Sequence, residues 1–456
     1  MLLIPRSGCL VDRYGGQIRS NGPKIVSNAG WNYSKPAVDF VIFIITIKDR
    51  IGLEYDAEEK PKLSNGSSGG ISKASRDEMQ QTLHNSTSTV SRRFTDRSNQ
   101  LQKYCEEKKL TSNCKTSFKN MFYVPSRNIV FCGIEKTGSS FWRRILRIVG
   151  GAGDGQSNPS LLKIGYAYQE EGYRSLTKAS LSEVREIFRN STSIMFVRNP
   201  FGRLFSGWLD KLYNPNWVFW QSYGPSMGSP AVQSNVSKCG YDVPFENFVK
   251  YVTKLIMDGY CLDGHFSPNY DHCKPCLFQF NFIGHYETLK EDTEHIINSL
   301  NLSKVVTLND FESNAGKDAI EDAVDWVFKH KTVLRKCNVT FHCALFKVWN
   351  RLQSRGFIST KSAFPYSSVS KANQTTSEDF KKLLYESSSQ NSIADMKASR
   401  ARSFHQAITN LSKDLVSQIE KAFRIDFEIF GYGKEGFEEV LESKYPKHVF
   451  FKDCHI

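Results

Sequence analysis

The chain has 456 residues, 40% of them hydrophobic and 13% aromatic, enough apolar material for one large folded domain. Its 60 Lys and Arg against 47 Asp and Glu leave a net charge of +13, which suits a polyanionic partner such as nucleic acid, a membrane surface or an acidic polysaccharide. No zinc finger, RNA-binding aromatic signature or long basic helix is present, so nucleic acid is disfavoured and an acidic glycan is the better fit.

In chain order, the first hundred residues do not read as core. Residues 65–70 and 85–89 lie in polar, Ser-rich surroundings, the composition of a flexible stem. Residues 1–103 are therefore expected to form an anchor or stem region, with the folded domain beginning near Tyr104. The apolar run at residues 40–47 is well short of the roughly twenty residues that cross a bilayer. Interior to the chain and flanked by Asp39 and Lys48, it is also a poor signal peptide.

Residues 128–134 form a short apolar run suited to a buried parallel strand. Phe141, Ile145 and Ile148 then recur at helical spacing. Between them, Gly133 and Gly138 with Ser139 and Ser140 keep the two glycines of a P-loop, but serine stands where that loop carries its phosphate lysine. The turn's only lysine is Lys136. ATP- and GTP-cleaving machinery needs the displaced lysine and a magnesium hydroxyl, so a metal-free transfer fits better, and no metal-ligand cluster stands out.

Ser180 and Glu183 offer a capping box ahead of Val184, Ile187 and Phe188. The strand, turn and helix logic then repeats. Residues 193–197 read as a strand and Pro200 as a first helical position, where its missing N–H costs nothing. Phe201, Leu204, Phe205, Trp208 and Leu212 mark the packed face. Arg198, Arg203 and Ser206 are placed to clamp one phosphate.

Further on, His265 sits in a polar loop, residues 278–284 read as another buried strand, and Thr288 with Glu291 offers a capping box for a helix carrying Ile296, Ile297 and Leu300. Residues 315–400 mix a helical stretch near 320–333 with a polar run at 359–392, read as a variable acceptor-side insertion with disordered parts. Residues 434–456 read as an appended tail. The alternation of strands and helices predicts an α/β fold, a P-loop-like parallel sheet flanked by helices, with ligand at the carboxyl ends of the strands.

Eleven cysteines suit an oxidising compartment. Cys105 and Cys114, Cys273 and Cys276, and Cys337 and Cys343 are close in sequence and can bridge locally or to one another, while Cys132, inside a strand, reads as a reduced core residue. Asn-x-Ser/Thr acceptors at Asn85, Asn190, Asn235, Asn301, Asn338, Asn373 and Asn410 permit glycosylation.

These motifs resemble those of the carbohydrate sulfotransferases, in particular the Golgi branch that includes the HNK-1, chondroitin and dermatan 4-O enzymes. Lys136, Thr137, Gly138, Ser139, Ser140 and Trp142 match the loop and Trp-bearing helix that bind the 5′-phosphosulfate of 3′-phosphoadenosine 5′-phosphosulfate (PAPS) in that family. Val197-Arg198-Asn-Pro-Phe-Gly-Arg203-Leu-Phe-Ser206, running on to Asp210 and Lys211, matches its 3′-phosphate signature. Residues 245–251, His265 with Pro268, Cys273 with Cys276, residues 282–289 and residues 426–432 resemble further family elements, so the likeness spans about 105–432. Glu135, Phe266 and His285 depart from it, standing for a usual proline, tryptophan and lysine. Glu135 beside an anion loop would oppose cofactor binding if it points inward, and a solvent-facing side chain is the expectation.

The resemblance implies the PAPS-dependent sulfotransferase fold and a PAPS-dependent carbohydrate O-sulfotransferase with no metal, acting on an acidic glycan or glycosaminoglycan, most plausibly GalNAc of chondroitin- or dermatan-type chains. It also implies a type II Golgi membrane protein with a luminal catalytic domain. PAPS would be held by Lys136, Thr137, Gly138, Ser139, Ser140, Arg198 and Ser206. Sulfuryl transfer needs charge neutralised on the bridging oxygen, assigned to Lys136, and a base for the acceptor hydroxyl, assigned to His265 with Asp263 or Glu287 as its orienting partner or substitute. The competing readings are a catalytically inactive glycan-binding protein of the same fold and, further off, a nucleotide or sugar kinase.

Overall fold

The computed structural model describes residues 73–108, 117–433, 450–452 and 454. The apolar run at 40–47 lies outside them. The centre is a five-stranded sheet of β1 (Met121–Val124), β2 (Ile129–Cys132), β3 (Arg174–Ser175), β4 (Thr192–Val197) and β5 (Phe282–His285), in the order β3-β1-β2-β4-β5. β2, β4 and β5 run parallel, with Phe131 opposite Ile194 and Phe196 opposite Gly284. β1 pairs antiparallel with β2 and with β3, so the expected parallel sheet is a parallel core with an antiparallel edge.

The strand sequences are apolar on both faces because both are covered. Ile129 and Phe131 join Trp142, Ile145, Ile296 and Ile297 on one side, the side of helices α2 (Ser139–Val149) and Leu289–Ser299. Val130, Cys132, Met195 and Val197 join Val184 and Ile187 on the other, with helix α3 (Leu181–Arg189), where the Ser180 side chain accepts the Glu183 N–H but the expected capping box does not close, because the Glu183 carboxylate pairs with Arg174 at 3.0 Å. After β4, helix α4 (Pro200–Trp208) begins on Pro200 as expected. It packs through Phe201, Leu204, Phe205 and Trp208 against helix Phe245–Met257 and the chain near Ile408 and Ile419.

Several expectations change. The folded unit begins before Tyr104: helix α1 (Lys73–Glu107) buries Phe94 and Leu101 in the two sheet-face cores. Arg93 and Arg97 of that helix ion-pair with the fully buried Asp292 at 2.7 Å each. Only β5 of the run 278–284 is strand. Before it, Asn281 and Ser193 bond through side chains at 2.8 and 3.0 Å while Phe278 and Phe280 fill the core. Thr288 forms no capping box, because its hydroxyl donates to Asp292 at 2.8 Å.

The stretch 315–400 is helical. Phe311–Lys329, Phe341–Ser354, Val369–Gln374, Ser377–Ser389 and the start of Ile393–Thr409 build a core of their own around Ile320, Val324, Leu345, Val348 and Phe380. Its polar run reads as irregular in sequence because the serines serve as caps: Thr376 and Ser392 each close a capping box with an aspartate three residues on. The tail is not simply appended, since Phe450 is buried and Cys454 is disulfide-bonded to Cys343.

The cysteines pair at long range, Cys105 with Cys276, Cys132 with Cys273 and Cys239 with Cys337. Cys132 is therefore not a reduced core thiol. Helix Asn269–Cys273 packs over the end of β2 and brings the two buried sulfurs together.

Candidate functional site

The site is built where β2 and β4 end. Leaving β2, the chain turns through Lys136 at φ 70° and Gly138 at φ 88°, both left-handed. Glycine is required at 138, because a Cβ there would add contacts of 3.1–3.2 Å with Leu289 to an already unfavourable backbone. α2 starts directly on this glycine with no side-chain cap, which leaves its first N–H groups for an outside acceptor. The Thr137 hydroxyl is spent inside the turn, donating to the Ile134 carbonyl at 2.9 Å with the residue fully buried, so only its backbone remains for a ligand. Ser139 is half-buried at the helix start, and the Ser140 hydroxyl meets the Tyr168 hydroxyl at 3.0 Å.

Lys136 Nζ pairs with Asp210 Oδ2 at 2.9 Å, both side chains about one-fifth exposed. Asp210 and Lys211 lie on a π-helical turn, Leu209–Tyr213, that continues α4. Such wide turns recur at functional sites. Burial pushes the Lys136 ammonium down to about 8 against the opposing pull of Asp210, while the surrounding Lys136, Lys211 and Arg351 hold Asp210 well below the usual carboxylate range despite its burial.

After β4, Arg198 donates to the Lys136 carbonyl at 3.3 Å, and its guanidinium stacks on Tyr286 at 4.1 Å. It has no carboxylate partner among the described residues, which leaves it open to an anion. Ser206 is half-buried within α4, and its hydroxyl makes no hydrogen bond among the described residues.

Arg203 is not part of a phosphate clamp. Its buried guanidinium donates to the carbonyls of Glu135 at 2.9 Å, Gly264 at 2.6 Å and Ser267, and meets His272 Nε2 at 3.2 Å. Each of the first two carbonyls immediately precedes a predicted catalytic residue. One guanidinium thus ties the Lys136 turn to the His265 loop.

His265 Nδ1 bonds Asp263 Oδ1 at 2.7 Å, which orients the ring and leaves Nε2 as the nitrogen not engaged with Asp263. Burial and the nearby Lys211 lower the imidazole below its ordinary value, and Asp263, paired with it, is a stronger acid than usual despite its own burial. The Phe219 ring stands edge-on to His265 at 5.5 Å and carries Lys211 Nζ over its face at 5.2 Å, so the histidine and the Asp210–Lys211 turn share one wall. Asp263, rather than Glu287, is the orienting partner. Glu287 instead accepts the Asn199 N–H at 3.0 Å and the Tyr432 hydroxyl at 3.1 Å.

Glu135 is not solvent-facing. It turns inward under Gly264, accepting from Asn120 at 3.0 Å and lying 3.2 Å from His272 Nδ1. His272 and His265 hold it below the usual carboxylate range against the effect of its burial. The carboxylate is engaged behind the His265 loop and does not pair with Lys136. Trp142 is core, set between Phe131 and Phe196 at 5.4 and 5.2 Å.

Sequence reasoning missed Arg351, which bonds Asp210 Oδ1 at 2.8 Å from helix Phe341–Ser354. Arg351 and Arg355 are one turn apart, a visible signal of a basic helix face, but nothing in the chain tied that face to the turn at 210.

The fold is α/β, with a glycine-bounded turn after one central parallel strand and, after its neighbour, an arginine that has no carboxylate partner among the described residues. Residues 119–333 match the model of the sulfotransferase family. Carbohydrate sulfotransferase 11 of Rattus norvegicus is 26% identical over 189 residues, 39% of this chain and 52% of the relative. Carbohydrate sulfotransferase 9 of Homo sapiens is 26% identical over 235 residues, 48% and 50% respectively. Carbohydrate sulfotransferase 10 of Gallus gallus is 26% identical over 208 residues, 43% and 56%. The chain thus spans about half the length of the curated relatives it matches, and no solved structure matches it.

Proposed function

We propose that the protein transfers a sulfuryl group from PAPS to a hydroxyl of an acidic glycan, GalNAc of a chondroitin- or dermatan-type chain being the leading acceptor. The observation that carries this reading is the Arg203 tie, which holds a cation on an anion-binding turn and a carboxylate-oriented histidine in one site. The donor fits: an uncapped helix start, Lys136 and the carboxylate-free Arg198 supply positive character at two neighbouring strand ends. PAPS supplies an activated sulfuryl group with a phosphate leaving group. Lys136 and the backbone of residues 137–140 would hold its 5′ end, and Arg198 with Ser206 its 3′-phosphate. Asp263 keeps the proton of His265 on Nδ1, so Nε2 can take the acceptor hydroxyl's proton. Lys136 places its ammonium where negative charge develops on the leaving group.

Protonation gives the pH dependence its sign. His265 must be neutral and Lys136 charged, so kcat/KM should rise through a limb below the ordinary histidine value and fall through one near the Lys136 value of about 8. A profile flat from pH 7 to 9.5 would remove Lys136 from the rate-limiting chemistry.

Arg198→Ala should weaken binding of 3′-phosphoadenosine 5′-phosphate by about tenfold to a hundredfold, the range expected for one lost charge-assisted contact. Calorimetry checks this, and unchanged affinity would end the 3′-phosphate assignment.

Long-range disulfides support an oxidising lumen, and a Golgi location follows from the same family reading. Desulfated chondroitin, dermatan, heparan precursor and N-glycan, offered in parallel with labelled PAPS, identify the acceptor. Label in heparan precursor or N-glycan alone would reject the GalNAc assignment. The inactive glycan-binding reading rested on Glu135 facing the anion loop, and the engagement of that side chain with Asn120 and His272 takes its main support away.

A further inference from the structure

We propose that Arg351 is a positioning residue for Lys136: it anchors one oxygen of Asp210, so that the other oxygen holds the lysine without capturing it. This rests on the sulfuryl-transfer reading of Lys136. Arg351 lies beyond the 119–333 stretch that matches the family, on a helix of the core built by residues 315–400. Its side chain is 5% exposed and reaches out of that core, donating to Asp210 Oδ1 at 2.8 Å and Asn214 Oδ1 at 3.4 Å. The opposite oxygen, Oδ2, takes Lys136 at 2.9 Å and Lys211 at 3.3 Å. One carboxylate is thereby divided, a guanidinium on one oxygen and two ammonium groups on the other.

A carboxylate held at one oxygen by a guanidinium is restrained in rotation, which favours one direction for the second. Its charge is also shared. A lysine facing an unshared buried carboxylate would be held as a tight pair and be slow to move to a leaving-group oxygen. With Arg351 in place, Lys136 is aimed and still transferable. The charged groups around the lysine are Asp210 and Lys211 on the π turn, Arg351 and Arg355 at the end of their helix, and Arg198, which bonds the Lys136 carbonyl. Asp322 of helix Phe311–Lys329 feels the charges of Arg351, Asp210, Asp318 and Lys211, with its carboxyl raised by burial. The helical layer outside the family-matched stretch thus reaches the Asp210 carboxylate through the Arg351 side chain.

The test is Arg351→Gln in the full chain. Loss of the guanidinium leaves Asp210 to the two lysines, so Lys136 should keep its proton to higher pH. The alkaline limb of kcat/KM should move up by about half a pH unit or more. kcat should fall about tenfold while nucleotide affinity stays within about threefold of the parent, because binding precedes the step that is slowed. Arg351→Lys should restore the limb and part of kcat. Asp210→Asn, which removes the carboxylate charge, should move the limb the other way, and it carries the test if Arg351→Gln does not fold.

An unmoved limb in Arg351→Gln with kcat reduced would mean a packing role only and overturn the proposal. A limb moved downward, or an unmoved limb in Asp210→Asn, would do the same. The protonation of Lys136 is also read without turnover, from the pH dependence of its acylation by an amine-directed reagent, located by peptide mass spectrometry. Absence of sulfate transfer by the parent chain would therefore strike the sulfotransferase reading, and the acylation profiles would still decide the role of Arg351.

Discussion

Lys136→Ala is expected to bring sulfate transfer to background, a loss of roughly a hundredfold to a thousandfold or more, the range seen when a preorganised electrostatic donor is removed. The size follows from position. Lys136 stands on a left-handed turn at the mouth of the central strands, partly withdrawn from water, where an ammonium acts on developing charge far more strongly than in bulk solvent. Two cations beside it point elsewhere: Lys211 lies over the Phe219 ring on the His265 side, and Arg198 is directed to Tyr286 and the Lys136 carbonyl. Turnover is measured at saturating donor, so that any loss of affinity is separated from the loss of rate. A variant retaining a tenth of parental kcat would show that the leaving group is stabilised elsewhere.

His265→Ala carries the second large effect, a fall in the single-turnover rate of about a hundredfold or more, within the usual range for a lost general base. Donor affinity should be unchanged, since His265 lies on the Asp263 loop and not on the anion turn. The acid limb of the pH profile should disappear with the imidazole. Asp263→Asn should give a smaller loss, because the ring remains but its tautomer and orientation are no longer held by a carboxylate. Near-parental single-turnover rates in His265→Ala would move the proton acceptor to another group.

Much of the strand, turn and helix framework was legible because it is local. A buried strand, a glycine that must be left-handed and an amphipathic helix leave their mark within a score of residues, as at 128–148 and again at 193–212. His265 with Asp263 was legible for the same reason, the two being bonded across one residue. What depended on distant chain was not. Arg203 reads as a phosphate ligand beside Arg198 until the loop at 264–267 covers it, and Glu135 reads as a surface anion until the same loop closes over it. Cys132 finds Cys273 only after helix Asn269–Cys273 docks on β2. The helices of 315–400 were obscured by serine and threonine, whose polarity resembles a loop when they act as caps. Arg351 was beyond reach for a further reason, being a buried cation whose carboxylate partner lies 141 residues away.

The central claim is that Lys136 and His265 serve one sulfuryl transfer, and the most direct test is incorporation of labelled sulfate from PAPS into desulfated chondroitin by the full chain, run beside Lys136→Ala and His265→Ala. Label carried into the glycan by the parent and lost in both variants is the predicted result. Equal label in parent and variants, or none from a folded parent that still binds the nucleotide and the glycan, would contradict it.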